Sequence, residues 1–183
     1  MLTIAAITLI TNLAFRIAWN DETRCPAWVS WDIEPREVVK AERARLPFAP
    51  DPRAAGSDLA ADYAGSGFDR GHMAPAADFN FDRAALAETY LFSNVCPQVP
   101  RLNRGKWAAF EAETRELARS GTVHVVCWPV FDFKRTNTIG RVRIPLAFEK
   151  VAWGWFGVRR IRAVNFATGR SCGDVKNKKG TKR

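Results

Sequence analysis

"GFDRGHMAPAADF" (Gly67–Phe79) sets an aspartate, an arginine, a glycine and a histidine in one row, and His72 is one of only two histidines in the chain. An imidazole is a neutral base near pH 7 and can accept a proton. Arg70 offers a planar, permanently charged fork suited to a phosphate. Gly71, between them, permits a sharp bend or the close approach of another backbone. Asp69 is suited to orient a neighbour or to enter a local ion pair. Four letters recur by chance, and a lone histidine is usually structural or merely exposed, so the reading depends on a second stretch.

That stretch is "SNVCPQVPRLNRGKWAAFE" (Ser93–Glu111). A helix is expected from Leu102 to Ser120, with Trp107, Phe110, Leu117 and Ala118 as its apolar positions and Gly121 as its stop. Asn103, Trp107 and Glu111 are spaced by four, which places them on one stripe about 80° wide. Asn103 and Glu111 are then two oxygen-bearing groups about 12 Å apart along the axis. That separation is too great for the two to ligate one ion directly without help. The spacing suits an Asn that binds a hard cation and a Glu that holds the ion's waters, the partly hydrated binding Mg²⁺ favours. An ordinary amphipathic helix with a solvated Asn and Glu is the competing reading.

The 183 residues are expected to form one domain over 1–183, with a basic, apolar-poor tail at 173–183 expected to be disordered. Apolar residues make up 47%, enough for a core. The net charge of +9, from 28 Lys and Arg against 19 Asp and Glu, suits a polyanionic partner. Cys25, Cys96, Cys127 and Cys172 contain no C-x-x-C pair, which argues against structural zinc. Their even number permits disulfides, and buried free thiols fit equally well. The amino-terminal apolar run lacks a basic flank and a small-x-small cleavage site, so no clear signal peptide is read. The compartment stays open, secreted or periplasmic included, and no membrane partner is expected.

The elements read as α+β. Leu13, Phe15, Ile17 and Trp19 alternate as a strand, and Ala27–Ile33 makes a second, antiparallel to it. Phe48 to Gly67 is a long irregular approach of the kind that carries function. Asp82 opens a short helix, "TVHVVCWPVFDF" is a buried strand, and one or two further strands follow from Val142. His124, in that apolar strand, is expected to be structural and buried with a single partner. Trp28, Trp31, Trp153 and Trp155 are expected in the core and Trp107 beneath the Asn103 face. Asp78 is expected to brace the loop after His72.

"DRGHMAPAADF", "SNVCPQ" and "LNRGKWAAFE", in that order, resemble the signature of the DNA/RNA non-specific endonuclease family, within the ββα-metal (His-Me finger) nucleases. The likeness extends over roughly Asn12 to Val151. It implies an antiparallel sheet core carrying a ββα-metal catalytic unit. It also implies a Mg²⁺-dependent, sugar-non-specific endonuclease that leaves 5′-phosphate and 3′-hydroxyl ends, with Mn²⁺ as a substitute ion. On that pattern His72 is similar to the general base, Asn103 to the direct metal ligand and Glu111 to the carboxylate on the metal's waters. Arg70 and Asn94 resemble residues that hold the phosphate or support the transition state, Gln98 one that shapes that shell, and Asp69 a brace. Arg101, Arg104 and Lys106 are expected to meet backbone phosphates. The family often has a basic residue in the approach to the signature, for which Arg45 and Arg53 are candidates. DNA and RNA are the expected partners, and a protein inhibitor and a homodimer are compatible with the reading. The rival from another class is a catalytically inactive basic nucleic-acid-binding module.

Overall fold

Cys25–Ile33 shows why a sheet forms: Val29, Trp31 and Ile33 are buried while Trp28 and Asp32 face out, the period-2 pattern of a half-covered strand. In the computed structural model, which describes residues 6–38, 45–132, 134 and 137–165, this strand is one of six in the main sheet. The strands are β1 (Ile7–Thr11), β2 (Phe15–Asn20), β3 (Cys25–Ile33), β6 (Val123–Val130), β9 (Ala147–Gly154) and β10 (Gly157–Val164), in that spatial order. Every neighbouring pair is antiparallel. Pro26 cannot donate to the ladder, and it sits where the β2–β3 register shifts between Ala18 and Trp19.

The expected hairpin of the second and third strands is present, but the amino-terminal run divides in two. Phe15, Ile17 and Trp19 point inward as the alternation predicts, whereas Leu13 lies in the β1–β2 turn, 70% exposed. β7 (Thr138–Ile139) and β8 (Val142–Arg143) form a small separate hairpin. The tail at 173–183 and Cys172 lie outside the described residues; Cys25, Cys96 and Cys127 are buried free thiols.

The second layer grows from the two motifs. β4 (Asp69–His72) pairs antiparallel with β5 (Val95–Gln98), His72 opposite Val95 and Asp69 opposite Gln98. Between them runs α2 (Arg83–Thr89), whose first turn is capped as expected: the Asp82 carboxylate accepts from the amides of Ala84 and Ala85 at 2.8 Å each. A short α1 (Ala60–Tyr63) precedes β4 in the otherwise irregular approach. β5 leads through Val99 into α3 (Pro100–Leu102), a wide π-type turn at Asn103–Trp107, and α4 (Ala108–Ala118). Strand, strand, helix is the ββα unit the motifs imply.

One helix running from Leu102 to Ser120 is therefore corrected. Gly105 leaves helical geometry (φ −112°, ψ −111°), so Asn103 and Glu111 are not joined by an unbroken 3.6-residue repeat. Trp107 still packs inward, 5.7 Å from Phe148 of β9. The sheet's other face has no covering layer among the described residues. Trp28, Trp153 and Trp155 are 36, 40 and 62% exposed there and at its margin, against the expectation that they fill the core; Trp31 does fill it. His124 also lies on that outer face rather than buried, its ring 2.7 Å from Asp32 Oδ1 and packed on Trp153.

Candidate active site

The two motifs meet through Asp69. Its Oδ2 accepts from Asn103 Nδ2 at 2.9 Å, and its carboxylate takes a two-point contact from Arg104, Nε at 2.9 Å and a terminal nitrogen at 2.6 Å. Burial pushes the Asp69 carboxyl pKa up, but the hydrogen bonds from Arg104 and Asn103 outweigh it, and it lies below the usual aspartate value. A carboxylate only accepts, so it must face the nitrogen of the Asn103 amide. The carboxamide oxygen is turned the other way. Arg104, expected on backbone phosphates, is already engaged here although its side chain remains 72% exposed. Arg101 and Lys106 are exposed beside it.

Arg70 and His72 alternate with Asp69 and Gly71 along β4 and share a different set of neighbours. The His72 ring lies 5.2 Å from the Phe48 ring and meets Tyr90 edge-on at 5.0 Å. The Arg70 guanidinium sits 5.6 Å from the same Phe48 ring and 5.7 Å from Tyr63. Phe48 is held there by its own segment, since Ala49 N donates to Tyr90 O and Phe92 N to Ala49 O. A Cβ at Gly71 would overlap the Gln98 side chain, so the bare glycine lets that side chain lie against β4. Gln98 is fully buried, and its amide atoms and Arg70 Nε have no hydrogen-bond partner among the described residues.

Asn94, expected at the phosphate, is instead enclosed. Its Oδ1 accepts from Ala74 N, and its Nδ2 donates to Ala74 O and Thr89 O, all within 3.0 Å. With Met73 N donating to Asn94 O, this residue clasps the backbone directly after His72. Asp78 braces that same loop, as expected, accepting from Trp31 Nε1 and Arg115 at 2.8 Å each. Burial raises the Asp78 pKa to about 6 despite the Arg115 charge beside it.

Glu111 Oε1 accepts from Lys150 Nζ at 2.9 Å, and the ammonium lies over the faces of Trp107 (4.3 Å) and Trp31 (5.3 Å). Sequence reasoning missed Lys150, Arg115 and Phe48. Two carried a local signal: Arg115 follows Glu111 by four residues on α4, and Lys150 shares the inward register of Phe148 and Ala152 in β9. Of the two basic candidates in the approach, Arg53 is occupied by Asp51 and Asn12, and Arg45 is exposed.

Three groupings result: Asp69–Asn103–Arg104, Arg70–His72 around Phe48, and Glu111–Lys150. Among the described residues no cluster of three or more His, Cys, Asp and Glu side chains is arranged to hold a metal. The donor set fits a hard, largely hydrated cation held by a single carboxamide oxygen, and does not fit a fully protein-ligated ion.

Residues 3–169 match the family described as DNA/RNA non-specific endonuclease, and the chain belongs to that family. It is 36% identical over 153 residues to mitochondrial Endonuclease G of Homo sapiens, covering 75% of this chain and 52% of that protein. It is 33% identical over 155 residues to Nuclease C1 of Cunninghamella echinulata var. echinulata, covering 75% and 62%. The fold matches a solved EndoG/EndoGI complex, described for the mechanism of EndoG inhibition, with a TM-score of 0.76, 25% identity, and coverage of 86% of this chain and 74% of that one. The chain spans about half the length of the Endonuclease G proteins it matches. The α+β architecture with an antiparallel sheet core agrees with that neighbour.

Proposed function

We propose that this chain is a Mg²⁺-dependent endonuclease that hydrolyses phosphodiester bonds in DNA and RNA without sugar preference, leaving 5′-phosphate and 3′-hydroxyl ends. The Asp69–Asn103 hydrogen bond carries this reading: it commits the amide nitrogen and leaves a carboxamide oxygen for a hard cation. His72 withdraws a proton from the attacking water through an imidazole nitrogen. Phe48 and Tyr90 fix its ring plane, and Asn94 fixes the backbone behind it. Arg70, through its guanidinium, takes a non-bridging phosphate oxygen and offsets charge in the transition state. When bound at Asn103, the divalent ion supplies Lewis-acid stabilisation of the phosphate and of the departing 3′ oxygen, and Mn²⁺ can replace it. Glu111 holds the ion's water shell. Arg101 and Lys106 meet neighbouring phosphates without reading bases, which suits a substrate range spanning DNA and RNA.

The structural relative's complex supports a protein inhibitor as a partner of this chain too. Several relatives are named as mitochondrial, so the secreted or periplasmic placement left open by the sequence gains nothing from them. No helix among the described residues is long and apolar enough to cross a membrane.

The test is plasmid DNA and a structured RNA incubated with the protein, with Mg²⁺, with chelator, and with Mg²⁺ restored. Cleavage of both that is lost and regained with the ion is expected, and His72→Ala should abolish it while leaving nucleic-acid binding intact. Intact plasmid at low salt with Mg²⁺, bound but uncut, would establish the inactive binding module instead.

A further inference from the structure

Lys150 is 1% exposed and sits in the middle of β9, between Phe148 and Ala152 on the inward face. A buried ammonium is costly unless it is paired, and a methionine or leucine would pack this position without that cost. Its described hydrogen bond goes to Glu111 Oε1, and two indole faces, Trp107 and Trp31, close over it. Both indoles are themselves buried, and Trp31 is further tied to Asp78. The ammonium therefore cannot wander, and neither can the oxygen bonded to it. A glutamate loose on a helix face samples many rotamers, and ordering it on demand costs free energy.

We infer that Lys150 is the positioning residue for Glu111, holding Oε1 so that Oε2 is the oxygen available to the water shell of a bound divalent cation. The inference rests on the reading of Glu111 proposed above. It also makes a prediction whose sign separates it from simple charge effects. Removing a cation near a metal site by itself tightens metal binding through Coulomb's law. Removing a residue that positions the carboxylate weakens it.

The experiment is Mn²⁺ binding followed by electron paramagnetic resonance of the free ion, on the full chain without nucleic acid. Wild type, Glu111→Gln, Lys150→Met and the double variant are compared, with a thermal melt of each. Lys150→Met is expected to melt cooperatively and to bind Mn²⁺ about tenfold more weakly, the low end of the loss usual for residues that support a metal site. The double variant should bind no more weakly than the worse single one, because Lys150 acts through Glu111. Unchanged or tighter binding by Lys150→Met, with Glu111→Gln weakened, overturns the inference alone. Wild-type binding by Glu111→Gln overturns the role of Glu111 and the inference with it. If Lys150→Met does not fold, Lys150→Gln is read by the same rule.

Discussion

Asp69 and Asn103 come from separate motifs, yet the carboxylate of one accepts the amide nitrogen of the other at 2.9 Å. In the proposed function, Asp69 would act on the cation through Asn103, by deciding which end of a nearly symmetric amide faces outward. Asp69→Asn removes that decision, since an amide donates as readily as it accepts. The Mg²⁺ concentration for half-maximal cleavage should rise about tenfold, in the range usual for residues that support a metal ligand. An unchanged Mg²⁺ requirement, measured by titration against plasmid cleavage, would leave Asp69 with no orienting role.

Gly71 is a packing requirement rather than a source of flexibility. An added Cβ would overlap the Gln98 side chain, whose amide group is fully buried. Gly71→Ala should cost about 1–3 kcal/mol by overpacking. The added change Gln98→Ala should recover much of that, because it removes the clashing side chain and forfeits no hydrogen bond among the described residues. Urea midpoints of the two single variants and the double variant check this. Simple additivity would place the clash elsewhere.

Asp78 gives stability a dependence on pH opposite to that of the arginine-bonded Asp51, Asp62 and Asp69. Its folded pKa is raised to about 6, so the folded state holds the proton more tightly than the unfolded chain. Its contribution to stability is greatest below about pH 4, falls as the pH rises to about 6, and is flat above that. Asp51, Asp62 and Asp69 behave in the usual sense. Burial raises each pKa, but hydrogen bonds and the charge of a neighbouring arginine together outweigh it, and their contribution is lost as the pH falls below the ordinary aspartate range. Comparing wild type with Asp78→Asn by urea unfolding at pH 4 and pH 7 isolates the first effect. Wild type should lose ground relative to the variant by up to roughly 3 kcal/mol at the higher pH. A constant difference would contradict a raised pKa.

Salt should separate the basic residues near the ββα unit. Arg101 and Lys106 are exposed, whereas Arg104 is held by Asp69. Arg101→Ala and Lys106→Ala should each reduce the slope of log affinity against log salt by about one, as expected for one phosphate contact apiece. Arg104→Ala should change it less. Filter binding to a duplex in chelator measures all three, and equal slopes would remove the distinction.

Much of this protein was legible in its amino acids because the relevant physics is local. Alternation predicts β2, runs of β-forming and apolar residues predict β3 and β6, the Asp82 cap predicts the start of α2, and the family resemblance implies strand, strand, helix. The spacing of Asn103 and Glu111 assumed an unbroken helix, and the π-type turn at Gly105 lay outside what a 3.6-residue count can register. Whether a tryptophan in a strand is covered depends on a layer from elsewhere in the chain, which is why Trp31 is buried and Trp28 is not. Asn94 and Lys150 make the same point at the site. Which groups surround a side chain, and so whether it meets solvent, a backbone clasp or two indole faces, is set by packing between segments tens of residues apart. No local pattern carries that information, so only the tertiary structure decided it.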